Sequence, residues 1–143
     1  MSTQDFTKTI TVNKTPGEVY GIIKDVRGWW SGLYGEEFTG SSERIGDEFT
    51  FNAGDGVHYS KQRLVELVPD KKVVWLVTDS KLSFLTKTDE WVNTRLRFDI
   101  AQEAEKTRLT FTHEGLVPII ECYGSCSSAW TQYIDKLAAK LNG

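Results

Sequence analysis

His113 is the side chain best placed for chemistry. It shares a parity with Leu109 and Phe111, while Arg108, Thr110 and Thr112 take the other. Spacing of two puts His113 on the apolar face of a strand. An imidazole there can be a pocket hydrogen-bond donor or a general acid/base, because its ordinary pKa lies near neutrality. The competing reading, which is favoured, is a core histidine satisfied by a backbone or hydroxyl partner. Cys122 and Cys126 stand one helical turn apart on an apolar face. Structural zinc asks for about four ligands at tighter spacing, and a disulfide within one helix fits the usual geometry poorly. Both thiols therefore read as small buried hydrophobes lining a cavity. Glu36 and Glu37 lie in a loop-like stretch and Glu114 has outward parity, so solvated carboxylates are the simpler reading. The chain has no Gly-rich phosphate loop, nucleophile elbow or HExxH. No catalytic residue, metal ligand or cofactor is assigned.

Five Trp in 143 residues, with 12% aromatics, suit either a heavily packed core or a ring-lined pocket. Trp75, inside an apolar run, reads as core. Trp30 and Trp130 are better placed for a pocket wall, and Tyr59 and Tyr133 for polar handles in it. Phe49, Phe51, Phe98 and Phe111 take the inner parity of their strands, and Trp91 sits in a stretch with no clear period. With His113 and the two thiols, these are the candidate ligand-binding residues.

A long C-terminal segment, Pro118 to Leu141, must position them. On a helical wheel Cys122, Tyr123, Cys126, Ala129, Trp130, Tyr133, Ile134, Leu137 and Leu141 form one stripe. Gly124 falls on the solvent side, and a break is expected there, with regular helix from about Ser125. Ahead of it, Phe6 to Val12 alternates as a half-buried strand. Thr15-Pro16-Gly17-Glu18 is a capping-box helix start with Pro at the first position, and Trp29-Trp30-Ser31-Gly32 suggests a second short helix or turn. Strands are then expected from Phe38, over Glu48 to Phe51, His58 to Val68, Val73 to Val77, Thr94 to Ile100 and Thr107 to Glu114. Turns are expected at Ile45-Gly46-Asp47, Ala53 to Gly56, Pro69-Asp70 and Ala101 to Lys106. Lys81 to Asn93 reads as a strand end plus a loop folding over the sheet. The order predicts one α+β domain over residues 1–143. A meander of strands has one wet face, and the terminal helix covers the other.

The hydrophobic share is 39%, the charged share 26% and the net charge -3, with Lys and Arg scattered. That argues against a nucleic-acid partner, which needs a basic stripe. No apolar run approaches the ~20 residues of a membrane span. The first residues lack a signal-peptide pattern, so a cytoplasmic location with reduced thiols is expected.

Several motifs in this order resemble a known family. They are Thr15-Pro16-Gly17-Glu18-Val19-Tyr20 followed by Trp29-Trp30, then Ile45-Gly46-Asp47-Glu48-Phe49, then Val65 to Pro69 leading to Val73-Val74-Trp75. Thr94 to Phe98, Thr107 to Leu116, and Trp130 with Tyr133, Ile134 and Leu137 complete the set. The chain resembles the START and Bet v 1-like (SRPBCC) superfamily. More narrowly it resembles the heat-shock-protein-90 ATPase activator homologues. The resemblance implies a helix-grip fold: a curved antiparallel sheet of six to seven strands around a long C-terminal helix, with two short helices after the first strand. It implies a small apolar, aromatic or lipid-like ligand in the space between sheet and helix, with a chaperone as an alternative partner. A cyclase or hydrolase using His113 as acid/base is a further alternative, and an enzyme is not the preferred reading. The co-chaperone that names the family carries an additional N-terminal domain, and this sequence begins directly with the first strand.

Overall fold

The computed structural model describes residues 5–30, 35–54, 58–83, 86, 88–117 and 123–142. β1 (Phe6–Val12) leads into α1 (Pro16–Lys24) and α2 (Val26–Trp29). Six strands follow: β2 (Glu37–Gly40), β3 (Glu48–Ala53), β4 (His58–Val68), β5 (Lys72–Leu82), β6 (Arg95–Glu103) and β7 (Lys106–Glu114). α3 (Tyr123–Asn142) closes the fold. The strands form one antiparallel sheet in the order β1-β7-β6-β5-β4-β3-β2. The first strand thus pairs with the last, Phe6 opposite His113 and Ile10 opposite Leu109.

Local chemistry explains the short helices. The Thr15 hydroxyl accepts from the Glu18 amide at 3.2 Å, and the Glu18 carboxylate accepts from the Thr15 amide at 3.2 Å. This reciprocal cap satisfies two amides that the first turn leaves without helical partners, and those bonds hold the Glu18 carboxyl below its ordinary pKa. Trp29 seals the α1–α2 corner by donating from its indole nitrogen to the Ile23 carbonyl at 2.7 Å.

The sheet has two unlike faces. Leu96, Phe98, Ile100, Leu109 and Phe111 are buried on the inner one. On the outer face Arg97 makes two bonds to Asp99, at 2.8 and 3.0 Å, and an ion pair with Glu114 at 3.6 Å. α3 lies against β1 and α2. Its stripe of Cys126, Trp130, Tyr133, Ile134, Leu137 and Leu141 is buried, while Gln132, Asp135, Lys136 and Ala139 are exposed. Its flanks are tied by Lys8–Asp135 at 3.2 Å and by Lys140 donating to the Gly28 carbonyl at 3.0 Å.

Four expectations change. Gly124 lies within α3 rather than at a break; it is exposed, so its missing side chain removes no contact. The β6–β7 hairpin is tighter than expected, because the strands run to Glu103 and from Lys106, and Ala104 takes the left-handed turn at φ 56°. The second short helix is centred earlier, on Val26–Trp29. β5 also runs to Leu82, well past Val77. A bulge allows this last change: Lys61 pairs with Asp79 and Gln62 with Val77, so Thr78 is the extra residue. Val77 and Ser80 can then both face inward. The expected start of α3 at Pro118, the tip of the turn at Asp55 and Gly56, and Ser31, Gly32, Phe84, Leu85 and Cys122 lie outside the described residues.

Candidate functional site

The inner face and α3 meet in a continuous layer of rings. Trp29 stacks on Trp30 at 5.8 Å and meets Phe98 edge-on at 5.0 Å. Trp30 stacks on Phe51 at 4.1 Å and contacts Trp130 at 5.0 Å. Trp130 reaches Phe111 at 4.6 Å and stacks on Trp91 at 5.8 Å. The offset and edge-on geometries are those that ring quadrupoles favour. Trp29 was not among the expected site residues, yet its ring joins α2 to the sheet and to α3. Its indole, one of a Trp29-Trp30 pair expected to pack against the core after the first helix, was the signal for it.

His113 lies at the end of this layer, fully buried. The indole N–H of Trp130 donates to its Nδ1 at 3.1 Å, and its Nε2 lies 2.8 Å from the Thr94 hydroxyl. Thr94 in turn donates to the Trp91 carbonyl at 2.6 Å. Burial pushes the imidazole down to about 3, and proximity to His58 adds to the shift. With both nitrogens engaged, His113 joins β7, α3 and the 91–94 turn. Of the two sequence readings, the geometry fits the satisfied core histidine.

The remaining expected residues divide. Trp75 is core, its indole nitrogen donating to Ser42 at 2.7 Å. Phe49 is packed edge-on against both Trp30 and Trp75. Cys126 is buried on the inner side of α3. Tyr133 is held on α3 by donating its hydroxyl proton to Glu36 at 2.5 Å. Tyr59 departs from expectation. It alternates with the fully buried Ser60 and Gln62, and so shares the outer parity of Lys61 and Arg63. It cannot be a handle on the inner side.

A second polar cluster sits beside the rings. His58, Ser60, Gln62 and Leu64 take the inner parity of β4, and Ser60 faces Ser80 across the β4–β5 pair. Gln62 donates its amide to the Ser60 hydroxyl at 2.5 Å. The His58 ring stands edge-on to Trp91 at 4.6 Å and to Phe51 at 5.1 Å. Four buried atoms here have no hydrogen-bond partner among the described residues: His58 Nε2, Gln62 Oε1, Ser80 Oγ and Trp91 Nε1. With its Nε2 given to Ser60, Gln62 has its carbonyl oxygen left over. Burial lowers the His58 pKa to about 4, so its ring is neutral at pH 7. His58, Gln62 and Ser80 were not expected as site residues. Their inner parity was legible, but the bulge that aligns Ser80 with Ser60 was not. Among the described residues no group of acidic, histidine or cysteine side chains could hold a metal ion, and no helix is long and apolar enough to cross a membrane.

A seven-stranded antiparallel sheet closed over a long C-terminal helix, with a ring-lined inner face, defines the class: a helix-grip protein. Residues 23–142 match the family described as Activator of Hsp90 ATPase homolog 1-like protein, and the chain belongs to that family. Similar solved structures agree on the fold. The Aha1 dimer of Colwellia psychrerythraea has a TM-score of 0.76 at 18% identity, over 97% of this chain and 96% of that one. A Rhizobium loti protein gives 0.74 at 19% identity, over 96% of each chain. A Chromobacterium violaceum protein gives 0.69 at 19%, over 98% of this chain and 99% of that one. Among curated proteins, none matches the chain in sequence.

Proposed function

We propose that the protein binds a small, mainly apolar or aromatic molecule between the inner face of the sheet and α3. The observation that carries this reading is the cluster of His58 Nε2, Gln62 Oε1, Ser80 Oγ and Trp91 Nε1, buried beside aromatic rings with no hydrogen-bond partner among the described residues. Each such atom costs about 1–3 kcal/mol when desolvated and unpaired. A bound molecule that supplied partners would recover much of that while burying its own apolar surface. Of the residues expected from sequence, Phe51 and Trp91 contact the His58 ring, and Trp30 and Trp130 continue the same wall. Thermal-shift and native mass-spectrometry screens against lipids and aromatics test the reading. The expected result is a ligand that raises Tm and loses that effect in Trp91→Ala. Ordered water on all four atoms in a crystal, together with no stabilising compound, would overturn it.

The family match supports a second reading, that the chain acts on a chaperone as the family description says of its namesake. It predicts stimulation of the ATPase of a cognate heat-shock-protein-90. No stimulation at micromolar protein would remove it. The acid/base reading of His113 has less support, since neither ring nitrogen is left for a substrate.

A further inference from the structure

We infer that the molecule bound beside β4 and β5 is neutral and planar, and carries both a hydrogen-bond donor and an acceptor, as an aryl carboxamide or a phenol does. This rests on the ligand-binding reading above and goes further in naming what the site selects. Every fully buried polar side chain among the described residues is a hydroxyl, a carboxamide or an imidazole; none carries a fixed charge. Two charges on the elements that border the inner face are engaged with partners, Glu36 with Tyr133 and Lys8 with Asp135. A carboxylate or ammonium brought here would lose its hydration without gaining a counter-charge, which costs several kcal/mol.

The requirement for both functions follows from the atoms. Trp91 Nε1 can only donate, so it calls for an acceptor on the ligand. Gln62 Oε1 can only accept, so it calls for a donor. Ser80 can do either, and neutral His58 can do either according to its tautomer. The patch therefore complements a group such as an amide. The walls set the shape. His58 meets Phe51 at 86° and Trp91 at 87°, so the polar atoms lie among flat ring surfaces rather than a flexible aliphatic lining.

The test is isothermal titration at pH 7.5 with a matched pair, 2-naphthamide and 2-naphthoate, against the wild-type protein, Gln62→Leu and Trp91→Phe. Circular dichroism confirms that each variant is folded. The amide is expected to bind at least about tenfold more tightly than the carboxylate, since even a partly uncompensated charge costs more than 1.4 kcal/mol. Each variant should weaken amide binding by about fivefold or more, as one hydrogen bond is lost. The inference is overturned if the carboxylate binds as tightly as the amide. It is equally overturned if amide binding is unchanged in both folded variants. If neither compound binds while a lipid from the screen does, this inference fails and the broader ligand-binding reading stands. If nothing binds, both fail.

Discussion

Trp130 on α3 donates its indole N–H to Nδ1 of His113 on β7, at 3.1 Å. An indole nitrogen can only donate, so Nδ1 must present its lone pair and the ring proton must sit on Nε2. His113 then donates to Thr94, and Thr94 to the Trp91 carbonyl. The donors all run one way, from the helix through the sheet to the turn that carries Trp91. Each member fixes the state of the next.

Truncating the middle of that chain should be costly. His113→Ala leaves the Trp130 N–H unpaired and opens a void at a fully buried site. We expect a loss of about 3–5 kcal/mol in urea unfolding. Trp130→Phe removes the donor but keeps a ring, and should cost less, about 1–3 kcal/mol. A His113→Ala protein within about 0.5 kcal/mol of wild type would contradict the assigned bonds.

Stability should fall as the solution is acidified. Burial lowers the His113 pKa to about 3 and that of His58 to about 4, below the ordinary 6.5. Below 6.5 the unfolded chain takes up protons that the folded chain refuses. The contribution is therefore fully present above pH 6.5 and is lost as pH falls toward 4 and then 3. Each histidine adds a slope of about 1.4 kcal/mol per pH unit inside that window. Urea midpoints at pH 7.5 and 5.5 measure it, and His58→Gln should flatten the dependence. Equal midpoints in the wild-type protein would refute the prediction.

Gly115 follows β7 with φ +102°, and a Cβ there would lie 2.7 Å from the Thr94 methyl. Gly115→Ala must strain the backbone and displace the residue that bonds to His113. A loss of about 1–3 kcal/mol is expected, with a change in tryptophan fluorescence as Trp91 and Trp130 shift. An unchanged Tm and spectrum would show that this close approach is not needed.

Two serines facing each other should respond oppositely. Ser60 accepts from Gln62, so Ser60→Ala should cost about 1–3 kcal/mol by leaving that amide unpaired at both ends. Ser80 has a buried hydroxyl without a partner among the described residues, so Ser80→Ala in ligand-free protein should be neutral or stabilising by up to about 1 kcal/mol. Denaturant melts decide it; similar losses in the two variants would mean that Ser80 is already satisfied.

The sequence carried most of the architecture, because strand and helix periods are set by which side chains face the core. α3 keeps its expected stripe from Tyr123 to Leu141, and β6 and β7 keep their alternation. The capping box at Thr15 and Glu18 needs only four neighbouring residues, so it was fully legible. The polar cluster was not. In β5 the inner positions change parity between Val77 and Ser80, and only the bulge at Thr78 reconciles them. Parity alone could place His113 indoors, but the identity of its partners depended on Trp130 and Thr94, brought together by the fold. Tyr59 was misassigned because aromatic character was given more weight than its neighbours' alternation.

The pairing of β1 with β7 has a consequence for how the chain reaches this state. Thr7 bonds to Phe111, 104 positions away. Closing so long a loop costs entropy before any contact repays it, which places this fold among the slower single domains. During synthesis the first strand has no neighbour until the seventh has emerged, and the ring layer has no cover until α3 follows. The nascent polypeptide must therefore carry its tryptophans uncovered for most of its growth, a period in which a holdase chaperone has its widest opportunity to bind.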